Sequence, residues 1–145
     1  MFERILVPID GSEGANKALQ MAIGLQKMCD GEVIILTVYR HHSLLEASMH
    51  IVRPEEPEAM DDMMKDYAKQ IAEHAKAMVR AGGSNKVRAF VKTGQPARTI
   101  VQFAKDRKAD LIVLGSRGLG DKEGYLLGSV SHKVTSLAGC PVLVV

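Results

Sequence analysis

The chain has 145 residues, of which 46% are hydrophobic and 25% are charged, and its formal net charge is +2. These values are typical of a single globular domain covering residues 1–145, and the small, scattered charge argues against a nucleic-acid-binding surface. Because Cys29 and Cys140 stand far apart, we expect no disulfide framework or zinc site, as is typical of a cytoplasmic protein. No apolar run approaches the roughly 18 residues of a membrane span, so we do not expect a membrane protein.

Apolar runs alternate with helical patterns along the first half of the chain. Residues 5–9 and 32–39 are strongly apolar over a short length, which predicts two strands buried on both faces. Residues 12–31 have helical spacing, with a serine at the start and Asp-Gly at the end as typical helix boundaries. Residues 57–83 predict a long helix that ends at two glycines.

The same alternation continues through the second half of the chain. Residues 87–92 alternate as a strand does, and a helix begins at Pro96, because proline suits the first helical turn. Residues 110–114 and 141–145 predict a fourth and a fifth strand, with a helix over residues 129–139 between them. Strands that alternate with helices predict an α/β fold, namely a doubly wound, open, five-stranded parallel sheet with helices on both faces.

Ligands of such sheets bind beyond the carboxyl ends of the strands, at the point where the strand order reverses. Two turns are candidates for this position: residues 10–12 after the first strand and the glycine-rich segment 115–128 after the fourth. The glycines are not followed by Gly-Lys-[Ser/Thr], so the segment is not a P-loop. The first strand is not followed by GxGxxG, which disfavours a dinucleotide fold of the dehydrogenase type.

The glycine-rich segment has features that suit an anion. Gly115 leaves the strand where a side chain would block a ligand, and Gly118 can supply a positive φ or a close backbone approach. Gly128 and Ser129 open a helix whose unpaired N–H groups and positive dipole end favour phosphate, and Ser131 adds a hydroxyl. Alternatively, the glycines only form turns and Ser129 is an ordinary helix cap.

The spacing of these residues, G-x2-G-x9-G-[ST], resembles the ATP-binding signature of the universal stress protein family. The resemblance covers the whole chain through five segments: RILVPIDGS, LTV, ADLIVLGSRGLG, LLGSVSHKV and CPVLVV. It implies a Rossmann-like sheet, similar to the adenine nucleotide alpha hydrolases, with strand order 3-2-1-4-5. It also implies the ATP-binding branch of the family, with ATP as the ligand, with or without Mg or Mn.

The resemblance further implies where parts of the nucleotide lie. Asp10 corresponds to an acidic residue near the sugar, where a carboxylate can accept hydrogen bonds from ribose hydroxyls. The backbone of Val38 corresponds to the position that meets the adenine edge, and Pro8 and Leu114 correspond to neighbouring wall positions. The alternatives are a turn-forming role for Asp10 and plain core packing for the other three.

For the phosphates, the residues implied by the resemblance form one group that contains the signature itself and its neighbours: Gly115, Arg117, Gly118, Gly128, Ser129, Val130 and Ser131. Val130 would contribute its backbone N–H, Ser131 its hydroxyl, and Arg117 either reaches phosphate or is solvated. Asp121 and Glu123 depart from the more apolar and basic stretch of related sequences. We expect these two acids to face solvent unless Lys122 or a divalent cation offsets their charge.

No group of residues suited to hydrolysis is apparent, because Asp10 is assigned to the ribose and the histidines lack metal-ligand spacing. His132, in the predicted phosphate helix, is the histidine worth testing. We therefore predict no catalytic residues and no metal ligands, and expect a nucleotide-dependent regulatory module of the stress response. The alternatives are a slow ATPase, in which hydrolysis resets the switch, and a nucleotide-free protein-interaction module.

The last strand, residues 141–145, is predicted at the sheet edge, where an apolar strand invites pairing with a second copy. Family members dimerise through this edge, so the resemblance implies a homodimer or a higher oligomer. Residues 40–56 leave from the predicted ligand side of the sheet. They are either a lid or docking surface for a regulated partner, such as a transporter or kinase, or a variable loop.

Overall fold

Five parallel strands form one sheet in the computed structural model, which describes residues 1–40, 57–117 and 127–145. The strand order is β3-β2-β1-β4-β5, which confirms the predicted doubly wound sheet of order 3-2-1-4-5. In chain order the elements are β1 (Arg4–Pro8), α1 (Glu13–Cys29), β2 (Glu32–Tyr39), α2 (Pro57–Ala81), β3 (Val87–Thr93), α3 (Pro96–Asp106), β4 (Leu111–Leu114), α4 (Ser129–Leu137) and β5 (Val142–Val144).

Helices cover both faces of the sheet, and this explains why the central strands are apolar at consecutive positions. In β2, Val33 and Ile35 belong to the core under α1 and α2, whereas Ile34 and Leu36 belong to the core under α3 and α4. All four side chains are fully buried. Because successive side chains of a strand point to opposite faces, a strand covered on both sides has no polar face to display.

Helix α1 begins and ends close to the predicted boundaries, with one difference in how it ends. Ser12 caps its start, since the Ser12 hydroxyl accepts a hydrogen bond from the Ala15 N–H at 3.1 Å. At the other end Asp30, rather than the glycine after it, adopts the left-handed conformation, with φ of 54°. Gly31 is required for space instead, because a Cβ atom there would collide with the carbonyl oxygen of Phe2.

The predicted boundaries differ from the observed ones by about one residue at several strand ends. The first strand ends at Pro8, yet the next N–H, that of Ile9, still donates to the Leu36 carbonyl at 2.8 Å. Helix α3 has proline at its first position as predicted, and the Gln95 side chain caps it by accepting from the Arg98 N–H at 2.7 Å. Because β1 and β4 pair in parallel, the turns that follow them lie at the same end of the sheet.

Candidate functional site

A cavity of about 500 Å³ lies at the carboxyl ends of β1, β2 and β4. Strand β1 lies between β2 and β4. The chain leaves β1 through α1 on one face of the sheet, whereas α3 and α4, on the other face, flank β4 in the chain. The strand order therefore reverses between β1 and β4, and the turns that follow these strands diverge and leave a crevice.

The walls of the cavity come from every layer of the fold. Strand ends and the residues after them contribute Pro8, Ile9, Asp10, Leu36, Thr37, Val38, Tyr39, Arg40, Leu114, Gly115 and Arg117. The helices contribute Ala15 of α1 with the N-cap residue Ser12, Met64, Tyr67, Ala68 and Ile71 of α2, Pro96 and Ile100 of α3, and Ser129, Val130 and Ser131 of α4. The lining is thus mostly apolar, with polar groups after β1, at the end of β2, after β4 and at the start of α4.

Most of the residues that the sequence singles out come together around this cavity. Those that line it are Pro8, Asp10, Val38, Leu114, Gly115, Arg117, Ser129, Val130 and Ser131. Gly128 is not among the lining residues; it is the buried cap of α4, and its N–H donates to the Ser116 carbonyl at 2.7 Å. Gly118, Asp121, Glu123 and nearly all of the segment 40–56 lie outside the described residues.

Gly115 has a structural reason to be a glycine, in addition to the one expected. The sequence suggests that a side chain here would block a ligand. In the structure, a Cβ atom at Gly115 would also lie 2.7 Å from the carbonyl carbon of Gly14 and 2.8 Å from its oxygen. Real Cβ atoms do not approach backbone so closely, so the two glycines allow the first turn of α1 to contact the chain after β4. This contact brings the two turns of the site together.

Asp10 takes part in a turn and also lines the cavity. Its Oδ1 atom accepts a hydrogen bond from the Ser12 N–H at 2.9 Å, and Gly11 has a positive φ of 85°. The turn-forming role that the sequence left open is therefore real. Because Asp10 is half-buried and faces the cavity, the turn also fixes the position of a carboxylate there.

The start of α4 presents backbone donors to the cavity. The first bond within this helix is donated by the His132 N–H to the Gly128 carbonyl at 2.9 Å, so the N–H groups of Ser129, Val130 and Ser131 precede the helical ladder. Gly128 has no side chain to cap them. Together with Arg117, which lines the same cavity, this helix end favours a bound anion.

Ser131 has structural contacts within the protein, and its contact with phosphate stays a prediction. Its side chain is buried, and its hydroxyl donates to the carbonyl oxygens of Ser116 and Gly128 at 2.8 and 3.0 Å. The single hydroxyl proton is thus used within the protein, and Ser131 holds α4 against the chain after β4. Ser116 also donates its N–H to the Val145 carbonyl at 2.9 Å, so one residue joins β4, α4 and the last strand.

The wall formed by α2 is the part of the cavity that the sequence does not predict. Met64, Tyr67 and Ile71 share one helical face, which indicates packing but not a cavity. The signal lies in the lengths: α2 has 25 residues and is about 37 Å long, whereas β2 has 8 residues and is about 26 Å long. The first turns of α2 are therefore expected to extend past the strand ends, and Tyr67, in the first half of the helix, is 63% exposed.

Within the described ranges, no three His, Cys, Asp or Glu side chains cluster as a metal site requires. His132 is exposed on α4 and does not line the cavity. None of the helices in those ranges is long and apolar enough to cross a membrane.

The fold and the site define a doubly wound α/β protein with a ligand cavity at its switch point. A sequence model of the universal stress protein family matches residues 1–145, and the chain belongs to that family. The universal stress protein YxiE of Bacillus subtilis is 36% identical over 148 residues, covering 100% of this chain and 99% of the relative.

Solved structures agree with this assignment. The structure of hypothetical protein MJ0577 is 31% identical, with a TM-score of 0.85, and the match covers 100% of this chain and 96% of that one. A universal stress protein in complex with cAMP is 27% identical, with a TM-score of 0.75, and the match covers 99% and 97% of the two chains.

Proposed function

We propose that this universal stress protein binds ATP in the cavity and acts as a nucleotide-dependent regulatory module of the stress response. The observation that carries the proposal is the layout of the cavity. The donor-rich start of α4 lies beside the end of β4, and Leu36, Thr37 and Val38 line the cavity at the end of β2. Asp10, which follows β1, lies between them. Strands are spaced about 4.8 Å apart, so the two ends of this layout are about 10 Å from each other.

This layout matches the parts of a nucleotide. The phosphates belong at Ser129, Val130 and Arg117, the ribose hydroxyls at Asp10, and the base at the backbone of Val38. A volume of about 500 Å³ is within the usual range for small-molecule sites. The relative solved with cAMP, an adenine nucleotide, supports the choice of an adenine ligand.

We favour regulation over hydrolysis because of the residues that the cavity offers. An ATPase must position a water molecule and offset the charge of the transferred phosphoryl group. Asp10 is the carboxylate among the described lining residues, and it accepts a hydrogen bond from the Ser12 N–H. A ligand that binds one conformation or assembly state better than another shifts the population toward that state.

The proposal is tested by purifying the protein without added nucleotide, denaturing it and identifying any released nucleotide by chromatography. The same preparation is then titrated with ATP, with and without Mg, by calorimetry. Released or bound ATP supports the proposal, and a parallel assay for phosphate release measures hydrolysis. A well-folded protein that neither carries nor binds an adenine nucleotide would reject it.

We also propose a homodimer through β5. This strand lies at the edge of the sheet and pairs with β4 on one side through Val142, Leu143 and Val144. Its side chains are only half-buried, although they contact both layers of the core. A half-buried apolar edge strand is completed by pairing with the same strand of a second copy.

Replacing Val144 with lysine should convert this dimer into a monomer. A lysine disfavours edge pairing, and its aliphatic stem can retain part of the valine packing. Light scattering after size-exclusion chromatography measures the mass, and circular dichroism checks the fold. The matched control is Leu137→Lys, which adds the same charge at an apolar α4 residue that is 57% exposed and outside the strand. A folded Val144→Lys protein of unchanged dimer mass would contradict the proposal.

A further inference from the structure

The side chain of Thr37 carries a buried hydroxyl that none of the described residues uses. Thr37 is 3% exposed, and its Oγ1 atom has no hydrogen-bond partner within the part of the chain that the structure describes. A strand does not offer a hydroxyl its own backbone as readily as a helix does. Burial without a partner costs free energy, so native proteins keep few such groups.

Other small hydroxyl side chains near the site are satisfied within the protein. The Ser12 hydroxyl caps α1, the Ser131 hydroxyl bonds to two carbonyl oxygens, and the Thr99 hydroxyl donates to the Gln95 carbonyl at 2.7 Å. Valine has nearly the shape of threonine and would remove the cost at position 37. The described residues therefore give no reason for threonine here.

Thr37 lies where a ligand would meet it. By alternation along β2 it points to the same face as Val33 and Ile35, toward α2, and it lines the cavity with Ile9 and Ile71. These two neighbours are apolar and offer its hydroxyl no side-chain partner. Thr37 thus brings a buried hydroxyl with no partner among the described residues to the lining of the cavity.

The position of Thr37 along the cavity indicates which part of a nucleotide it meets. It lies on β2, and β1 separates β2 from β4 and the phosphate end of the cavity. That separation is about 10 Å, which is too far for a threonine side chain to reach a phosphate held at α4. A hydroxyl both donates and accepts, so it can pair with a ring nitrogen or with an exocyclic amino group of a base.

We infer that Thr37 is a specificity-determining residue whose hydroxyl hydrogen-bonds to the purine base of the bound nucleotide. The inference rests on the proposed function, since it assigns a contact within the same site. It goes beyond that function by naming a side chain that reads the base, in addition to the backbone of Val38. The buried hydroxyl is then satisfied in the complex.

The test compares Thr37→Val with the wild-type protein against ATP and against ribose 5-triphosphate, which shares the sugar and phosphates but lacks the base. Thr37→Val should weaken ATP binding about tenfold, the usual worth of one hydrogen bond, and leave the affinity for ribose 5-triphosphate unchanged. Thr37→Ser keeps the hydroxyl and should restore most of the ATP affinity. The ligand-free melting temperature of Thr37→Val should equal or exceed that of the wild type.

Thr99→Val is the matched control, because it makes the same substitution where the hydroxyl has an internal partner. It should lower the melting temperature and keep the ATP affinity, the reverse of Thr37→Val. Unchanged ATP binding by Thr37→Val, or an equal loss for both ligands, would overturn the inference while the proposed function stands. A wild-type protein that binds no ATP would overturn both.

Discussion

Replacing Ser129 with aspartate should lower the affinity for ATP at least about a hundredfold while the protein keeps its fold. Position 129 begins α4, where a carboxylate interacts favourably with the helix dipole and the unpaired N–H groups, so the helix should not be destabilised. The same carboxylate would occupy the donors meant for phosphate and repel its charge. Losing roughly 3 kcal/mol of charge-assisted hydrogen bonding corresponds to about this factor. Calorimetric titration measures the affinity, and thermal melting checks the fold.

Two variants isolate the cause of this loss. Ser129→Asn has nearly the shape of the aspartate without its charge and should retain most of the affinity. Ser84→Asp makes the same charge change in the turn before β3, where an aspartate can still accept the Lys86 N–H that Ser84 accepts at 3.1 Å. It should bind ATP as the wild type does. Undiminished binding by a folded Ser129→Asp protein would show that the start of α4 does not hold the phosphates.

Gly115→Ala should destabilise the protein strongly, although it adds only one methyl group. The new Cβ atom would lie within 3.1 Å of three backbone atoms of Gly14 and Ala15, none of which can move as a flexible side chain can. The end of β4 must then separate from α1, at a cost of about 2–3 kcal/mol, or a melting temperature lower by roughly 5–10 °C. ATP binding should weaken too, since the two turns of the site would no longer meet. Urea unfolding measures the stability change.

Gly24→Ala provides the control for this prediction. Gly24 lies within α1, and a Cβ atom there would meet nothing within 4 Å. Alanine is favoured over glycine inside a helix by about 1 kcal/mol, so this variant should be more stable than the wild type and bind ATP equally well. If Gly115→Ala were as stable as Gly24→Ala, the close contact between α1 and the chain after β4 would not hold in solution.

Much of the fold follows from the sequence because its signals are local. Runs of apolar residues mark the strands, Ser12 and Pro96 mark helix starts, and alternation of strands with helices implies a parallel sheet. The strand order is implied by the family resemblance, and the structure confirms it. The boundaries shift by about a residue at strand ends: the apolar run includes Ile9, whereas the strand ends at Pro8, although Ile9 still donates to the Leu36 carbonyl.

The site is less predictable because its features depend on residues that are distant along the chain. The need for glycine at position 115 comes from its contact with Gly14, about a hundred residues earlier, which no spacing rule shows. The use of the Ser131 hydroxyl depends on where the Ser116 carbonyl lies. Thr37 looks like one more strand residue until its burial and its missing partner are seen together.

Ser116 links the cavity to the edge of the sheet. Its carbonyl is held by Gly128 and Ser131 at the start of α4, and its N–H is bonded to Val145, which follows β5. A ligand whose binding shifted α4 would therefore act on a residue attached to the proposed dimer edge. Such coupling is reciprocal in equilibrium binding: by whatever factor ATP strengthens the pairing of two copies, pairing strengthens the retention of ATP. The concentration of the protein would then regulate nucleotide occupancy. At low protein concentration a smaller fraction of the chains would hold ATP than at high concentration.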